Sequence, residues 1–118
     1  FINILKIKRK FYKPFIKIKQ NMVTRIGTSR RKTRNKFKRH ASEKGKIPLS
    51  KYFQKFEVGD RVGLKINSAI QKGQFFRRFH GMAGKVSGLK GTCYKVDIKD
   101  GGKEKVLFVH PIHLIRLK

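Results

Sequence analysis

Acidic residues are what this chain has least of: six Asp and Glu stand against 32 Lys and Arg, giving a net charge of +26 over 118 residues. Charge of that size and sign opposes compaction and self-association, so a polyanion must normally neutralise it. The chain has no tryptophan and one cysteine, Cys93. A lone cysteine excludes an internal disulfide and fits a reducing cytoplasm. Long apolar runs are missing as well, and none approaches the roughly 20 residues needed to span a bilayer. A secretory signal fails because lysines interrupt every apolar stretch near the start, as in Ile4-Leu5-Lys6-Ile7-Lys8 and Phe15-Ile16-Lys17-Ile18-Lys19.

The charge that is present is unevenly placed. Residues 1–56 carry 19 Lys and Arg against the single acid Glu43, whereas residues 57–118 carry 13 against five acids. This gradient predicts a basic extension joined to a compact module. Residues 1–21 use almost only Phe, Ile, Asn, Lys, Tyr and Leu, and they read as translated upstream sequence with Met22 as the natural start. A basic amphipathic membrane-surface segment is the rival reading of that stretch.

Residues 22–47 form a basic arm with ten cations: Arg25, Arg30, Arg31, Lys32, Arg34, Lys36, Lys38, Arg39, Lys44 and Lys46. Its apolar residues, Ile26 and Phe37, are too sparse to repay the entropy of ordering, so the arm is expected to be disordered until it meets a polyanion. A domain follows over residues 48–118. Pro48 with Leu49, Tyr52, Phe53 and Phe56 predicts a short helix over 48–55 that packs its aromatics on the domain. Alternation in Arg61–Ile66 predicts a strand, and further strands are expected at 83–87, 93–98, 105–109 and 115–117. Asp100-Gly101-Gly102 marks a hairpin turn. Five short strands with glycine-rich turns predict a mainly β protein built as a small barrel. Gly84 is expected in a tight turn or at positive φ, where valine would damage folding.

Catalytic constellations are weak. Gly81-Met82-Ala83-Gly84-Lys85-Val86 has two residues between its glycines where a phosphate-binding loop needs four, and Val86 replaces the metal-binding hydroxyl. Gly84-Lys85-Val86-Ser87-Gly88 places serine one position late for a nucleophile elbow. His110 and His113 lack a cysteine pair to complete a zinc site, Cys93 suits a small buried hydrophobe, and the scattered acids disfavour paired-carboxylate chemistry. No enzyme activity, metal, cofactor or small-molecule substrate is therefore expected. The long loop 67–82 is different, because Arg77 and Arg78 lie among Phe75, Phe76 and Phe79. Guanidinium groups pair with phosphate and exposed rings stack on unpaired bases. Arg77, Arg78 and His80 are expected to face nucleic acid and Phe79 to be structural. Lys72, Lys85 and the arm's His40 complete the candidate RNA-binding set.

Three stretches together resemble one family. They are Arg30–Phe37 with Lys44–Tyr52; Val58–Val62 with Gln71-Lys72-Gly73 and Phe79–Val86; and Gly91–Val96 with Pro111-Ile112-His113-Leu114. In that order and spacing, over about residues 23–118, they look like the archaeal and eukaryotic large-subunit ribosomal proteins called L twenty-one e. Two departures stand out: Phe75-Phe76 where the family commonly has Pro-His, and Ile112 where it commonly has an acid. The resemblance implies an SH3-like β-barrel with a basic, extended N-terminal arm. It also implies a cytoplasmic, ribosomal location, and contacts with large-subunit ribosomal RNA, 5S RNA and neighbouring ribosomal proteins. It implies no membrane partner. Two rival readings remain open from the residues themselves. One is a small basic barrel coating duplex DNA as a chromatin protein, and the other a membrane-active cationic protein that depends on residues 1–21.

Overall fold

A computed structural model describes residues 27–118. Arg25, the segment 1–21 and the proposed start at Met22 lie outside the described residues. Within them the chain forms five strands: β1 Arg61–Leu64, β2 Ala83–Lys90, β3 Cys93–Asp100, β4 Lys103–Val109 and β5 Leu114–Arg116. All pairings are antiparallel, in the order β4-β3-β2-β1-β5. This mainly β, barrel-like sheet carries one short helix, α1 Leu49–Tyr52, and three single 3-10 turns. No helix among the described residues is long and apolar enough to cross a membrane.

Alternation decides the inward face. Val62 and Leu64 of β1, Val96 and Ile98 of β3, and Val86, Val109 and Leu114 are each at most 3% exposed and meet in one core. A bulge at Ser87, between the pairs Val86–Val96 and Gly88–Lys95, lets β2 bend and serve both halves of the sheet. The bend is fixed from outside, where the Gly59 N–H donates to the Val86 carbonyl (2.8 Å) and the Val86 N–H to that of Asp60 (3.0 Å).

Several expectations need correcting. The helix covers four residues rather than 48–55, because Gln54 is bound elsewhere. Its Nε2 donates to the carbonyls of Pro111 and Leu114, the latter at 2.8 Å. The chain must straighten to make that bond and to sink Phe56 beside Tyr94, with ring centroids 5.4 Å apart. Of the expected aromatic anchors, Phe56 is buried and Tyr52 packs on His110 (4.8 Å), but Phe53 is 70% exposed. β1 stops at Leu64 although Ile66 is buried, β2 runs on through Leu89 and Lys90, and β5 begins at Leu114. Cys93 is half-buried rather than buried.

Gly84 sits inside β2, not in a turn. A β-carbon there would lie 2.7 Å from the Asp97 carbonyl oxygen, 2.7 Å from Val96 Cγ1 and 2.8 Å from Ile98 Cγ2. The residue is required by close approach of β3, so the turn explanation is replaced.

Candidate nucleic-acid interface

The long loop after β1 is held at several points, which fixes what it displays. His113 is fully buried, and its Nδ1 accepts the Asn67 N–H (2.9 Å) while its Nε2–H donates to the Lys72 carbonyl (3.2 Å). Both contacts require the neutral ring, and burial pushes its pKa down to about 4. At Gly73 the loop touches β4's end, where the His110 N–H donates to the Gly73 carbonyl (3.1 Å). Gly73 has φ +60°, and a β-carbon there would lie 2.7 Å from His110 Cβ. Phe75 and Phe79 then plug into the core, each 8% exposed. Phe79 is thus structural, as the sequence suggests.

Those anchors turn Phe76 outward, 49% exposed, with Arg77 beside it. Arg78 goes another way and pairs with Asp100 (3.1 Å), whose other oxygen accepts from Lys105 Nζ (2.7 Å). The hydrogen bond from Lys105, aided by the Arg78 charge, holds the Asp100 carboxyl below its ordinary value. His80 is half-buried, and its Nδ1 accepts the Ile66 N–H (3.2 Å). Its pKa is lowered by burial and then by the charges of Lys36 and Lys65. The sequence triplet Arg77, Arg78 and His80 therefore splits: Arg77 faces a cleft, Arg78 engages an acid, and His80 supports the loop.

The described part of the arm lies along this same loop. Its one aromatic, Phe37, packs against the core and against the His80 ring, with centroids 5.9 Å apart. Thr33 is buried, with its hydroxyl donating to the Arg30 carbonyl (2.6 Å), and the Phe37 N–H donates to the Thr33 carbonyl (2.9 Å). Arg30 Nη2 reaches the side-chain oxygens of Gln71 and Gln74, the latter at 2.7 Å. Arg39 Nη2 donates to the Lys46 carbonyl (2.6 Å), closing the segment around the 3-10 turn Ala41–Glu43. In that turn His40 Nδ1 lies 2.8 Å from Ser42 Oγ.

Two clefts result where arm meets sheet. One, of about 350 Å³, is lined by Arg30, Arg77, Phe37, Phe76, Gln71 and Gln74 among others. The second, of about 490 Å³, gathers Lys36, Lys38, Arg39, His40 and Lys46 from the arm with Lys51 and Lys65, against the single acid Glu43. Lys51 and Lys65 were missed in the sequence, since only the fold carries α1 and the end of β1 to the arm. Arg31, Lys32, Arg34, Lys44 and Lys72 are exposed and line neither cleft. Lys85 is apart from this face, on β2 between Arg61 of β1 and Asp97 of β3. Among the described residues no group of His, Cys, Asp and Glu converges as a metal site.

The family model described as ribosomal protein L21e matches residues 23–118. The chain belongs to the ribosomal protein L21e family. Curated archaeal relatives agree with that membership. The large ribosomal subunit protein eL21 of Methanoregula boonei is 44% identical over 85 residues, covering 72% of this chain and 88% of the relative. That of Nanoarchaeum equitans is 40% identical over 94 residues, covering 79% and 96%. That of Haloarcula marismortui is 43% identical over 84 residues, covering 71% and 88%. The L21e family is one of ribosomal proteins and not of enzymes. In this L21e chain the match begins two residues before Arg25 and takes in both the basic arm and the sheet.

Proposed function

We propose that this chain is a structural component of the large ribosomal subunit that binds ribosomal RNA and supports subunit assembly and translation. The observation that carries the reading is the basic face formed where the arm meets α1 and the sheet, with five arm residues, Lys51 and Lys65 around one cleft that holds a single acid. Phosphates of folded RNA are the polyanion that suits such a face, because each neutralised phosphate releases a counterion. Recognition rests on shape and phosphate position, since A-form grooves hide base edges from side chains. The large-subunit relatives support the ribosomal context. A cytoplasmic location on the ribosome, placement near the 5S RNA and contacts with neighbouring ribosomal proteins are part of the same reading.

Reconstitution tests it. The purified chain is added to salt-stripped large subunits, sedimented through a high-salt wash, and its position read by chemical footprinting of both RNAs. Retention with protection next to the 5S RNA is the expected result. Loss in the wash, or binding to duplex DNA as strong as to ribosomal RNA at equal salt, refutes it.

A further inference from the structure

The smaller cleft has a composition that phosphate binding alone does not need. It combines two arginines, no acid and an aromatic ring, Phe76, that is half exposed although the rings on either side of it in the loop, Phe75 and Phe79, are buried. Phe76 is kept in place edge-on to Phe79, with centroids 6.5 Å apart, and Phe79 is locked in the core. The opposite wall is equally fixed. Arg30 donates through Nη2 to Gln71 and Gln74, which leaves its other N–H groups for a ligand. Gln74 is itself pinned, donating to the carbonyls of Ile70 (2.6 Å) and Asn67 (3.4 Å). Groups already held in position lose little entropy on binding.

We propose that this cleft seats one unpaired nucleotide of an RNA strand, with the base on the Phe76 ring and its phosphate between Arg30 and Arg77. A volume of about 350 Å³ lies at the small end of ligand pockets, which span roughly 300–1,000 Å³, and suits one base rather than a duplex. A ring face accepts any base, so the site selects unpaired over paired RNA and does not read sequence. The side-chain oxygens of Gln71 and Gln74 accept from Arg30, and the Gln74 amide nitrogen is taken up by backbone carbonyls. The inference rests on the RNA-binding reading above and adds a strand preference to it.

The test uses the full chain and two RNAs, a hairpin with an all-adenosine loop and the same stem closed into an uninterrupted duplex, with binding followed by fluorescence anisotropy. The unmodified chain is expected to favour the looped RNA. Phe76→Ala is expected to weaken that binding roughly 5- to 100-fold, as loss of one stacked base does, while duplex binding stays unchanged. Phe76→Tyr, which keeps the ring, restores the preference. Equal binding of both RNAs by the unmodified chain, or a Phe76→Ala loss shared equally by both, overturns the nucleotide site while leaving RNA binding intact. Binding of neither RNA at low salt overturns the RNA reading itself. Arg30→Gln gives a second measure that does not depend on the ring, and its loss too must be larger for the looped RNA.

Discussion

Acidification is expected to loosen this protein well above the pH at which its carboxylates protonate, and His113 is the reason. In the folded chain both ring nitrogens are used, Nδ1 as acceptor from Asn67 and Nε2–H as donor to Lys72, and the ring is fully buried. A second proton on Nδ1 would face the Asn67 N–H, with His110 nearby adding repulsion when charged. The folded ring therefore protonates at about 4, against 6.5 for an unperturbed histidine. Between those values the unfolded state binds the extra proton, so stability is full above 6.5 and falls as pH drops towards 4. Each pH unit in the window costs at most about 1.4 kcal/mol. Solvent and backbone relaxation around a charged ring reduce the total to roughly 2 kcal/mol, or about 10 °C in Tm for a domain of this size. The lowered pKa values of His80 and His110 add in the same direction, whereas Asp100 titrates beneath the window. Thermal melts followed by circular dichroism from pH 7 to 4, with the His113 ring protons titrated by NMR, measure both quantities. A Tm that stays flat across the window, or a folded His113 ring titrating near 6.5, refutes the reasoning.

Three further outcomes are expected. Gly84→Val should lower stability by about 1–3 kcal/mol through overpacking against the Asp97 backbone, whereas Gly88→Val, where nothing lies within 4 Å, should melt almost normally; equal melting points would contradict this. Gln54→Ala frees the Pro111 and Leu114 carbonyls and should cost about 1–2 kcal/mol in urea unfolding, with faster amide exchange at Leu114–Arg116; unchanged exchange there would count against the tether. A chain beginning near Lys46 should keep the sheet by circular dichroism but lose most RNA affinity and most of its salt dependence in filter binding, and undiminished incorporation into subunits would refute the role of the arm.

The strands were legible because alternation and glycine turns are local signals. Val62 and Leu64 point inward whatever the rest of the chain does, and Asp100-Gly101-Gly102 can do little but turn. The ends of elements were less legible, since they depend on distant partners. Leu49–Tyr52 stops where Gln54 finds carbonyls nearly sixty residues away, and no pattern around Gln54 announces them. The candidate interface shows the same division. Composition marks the arm and the Arg77 loop, yet Arg78 turns to Asp100 because the β3–β4 hairpin comes to it. Phe37 counted as one sparse apolar residue among many cations; its packing on the core and on His80 is a tertiary fact. Its isolation within a basic run was the one available hint.

The strand order carries a consequence for how the chain is made. β1 is hydrogen-bonded on one side to β2 and on the other to β5, which follows every other strand in the sequence. The seam also contains His113 and the two carbonyls that hold Gln54. During synthesis the meander β1–β4 can assemble early, but one flank of β1 stays open until β5 emerges. Closure is therefore late and non-local, the slow kind of contact formation. Meanwhile the basic arm is already out and unneutralised. Until β5 pairs, the module keeps an open strand edge and an incomplete core, so its vulnerable interval is set by the order in which the strands are translated.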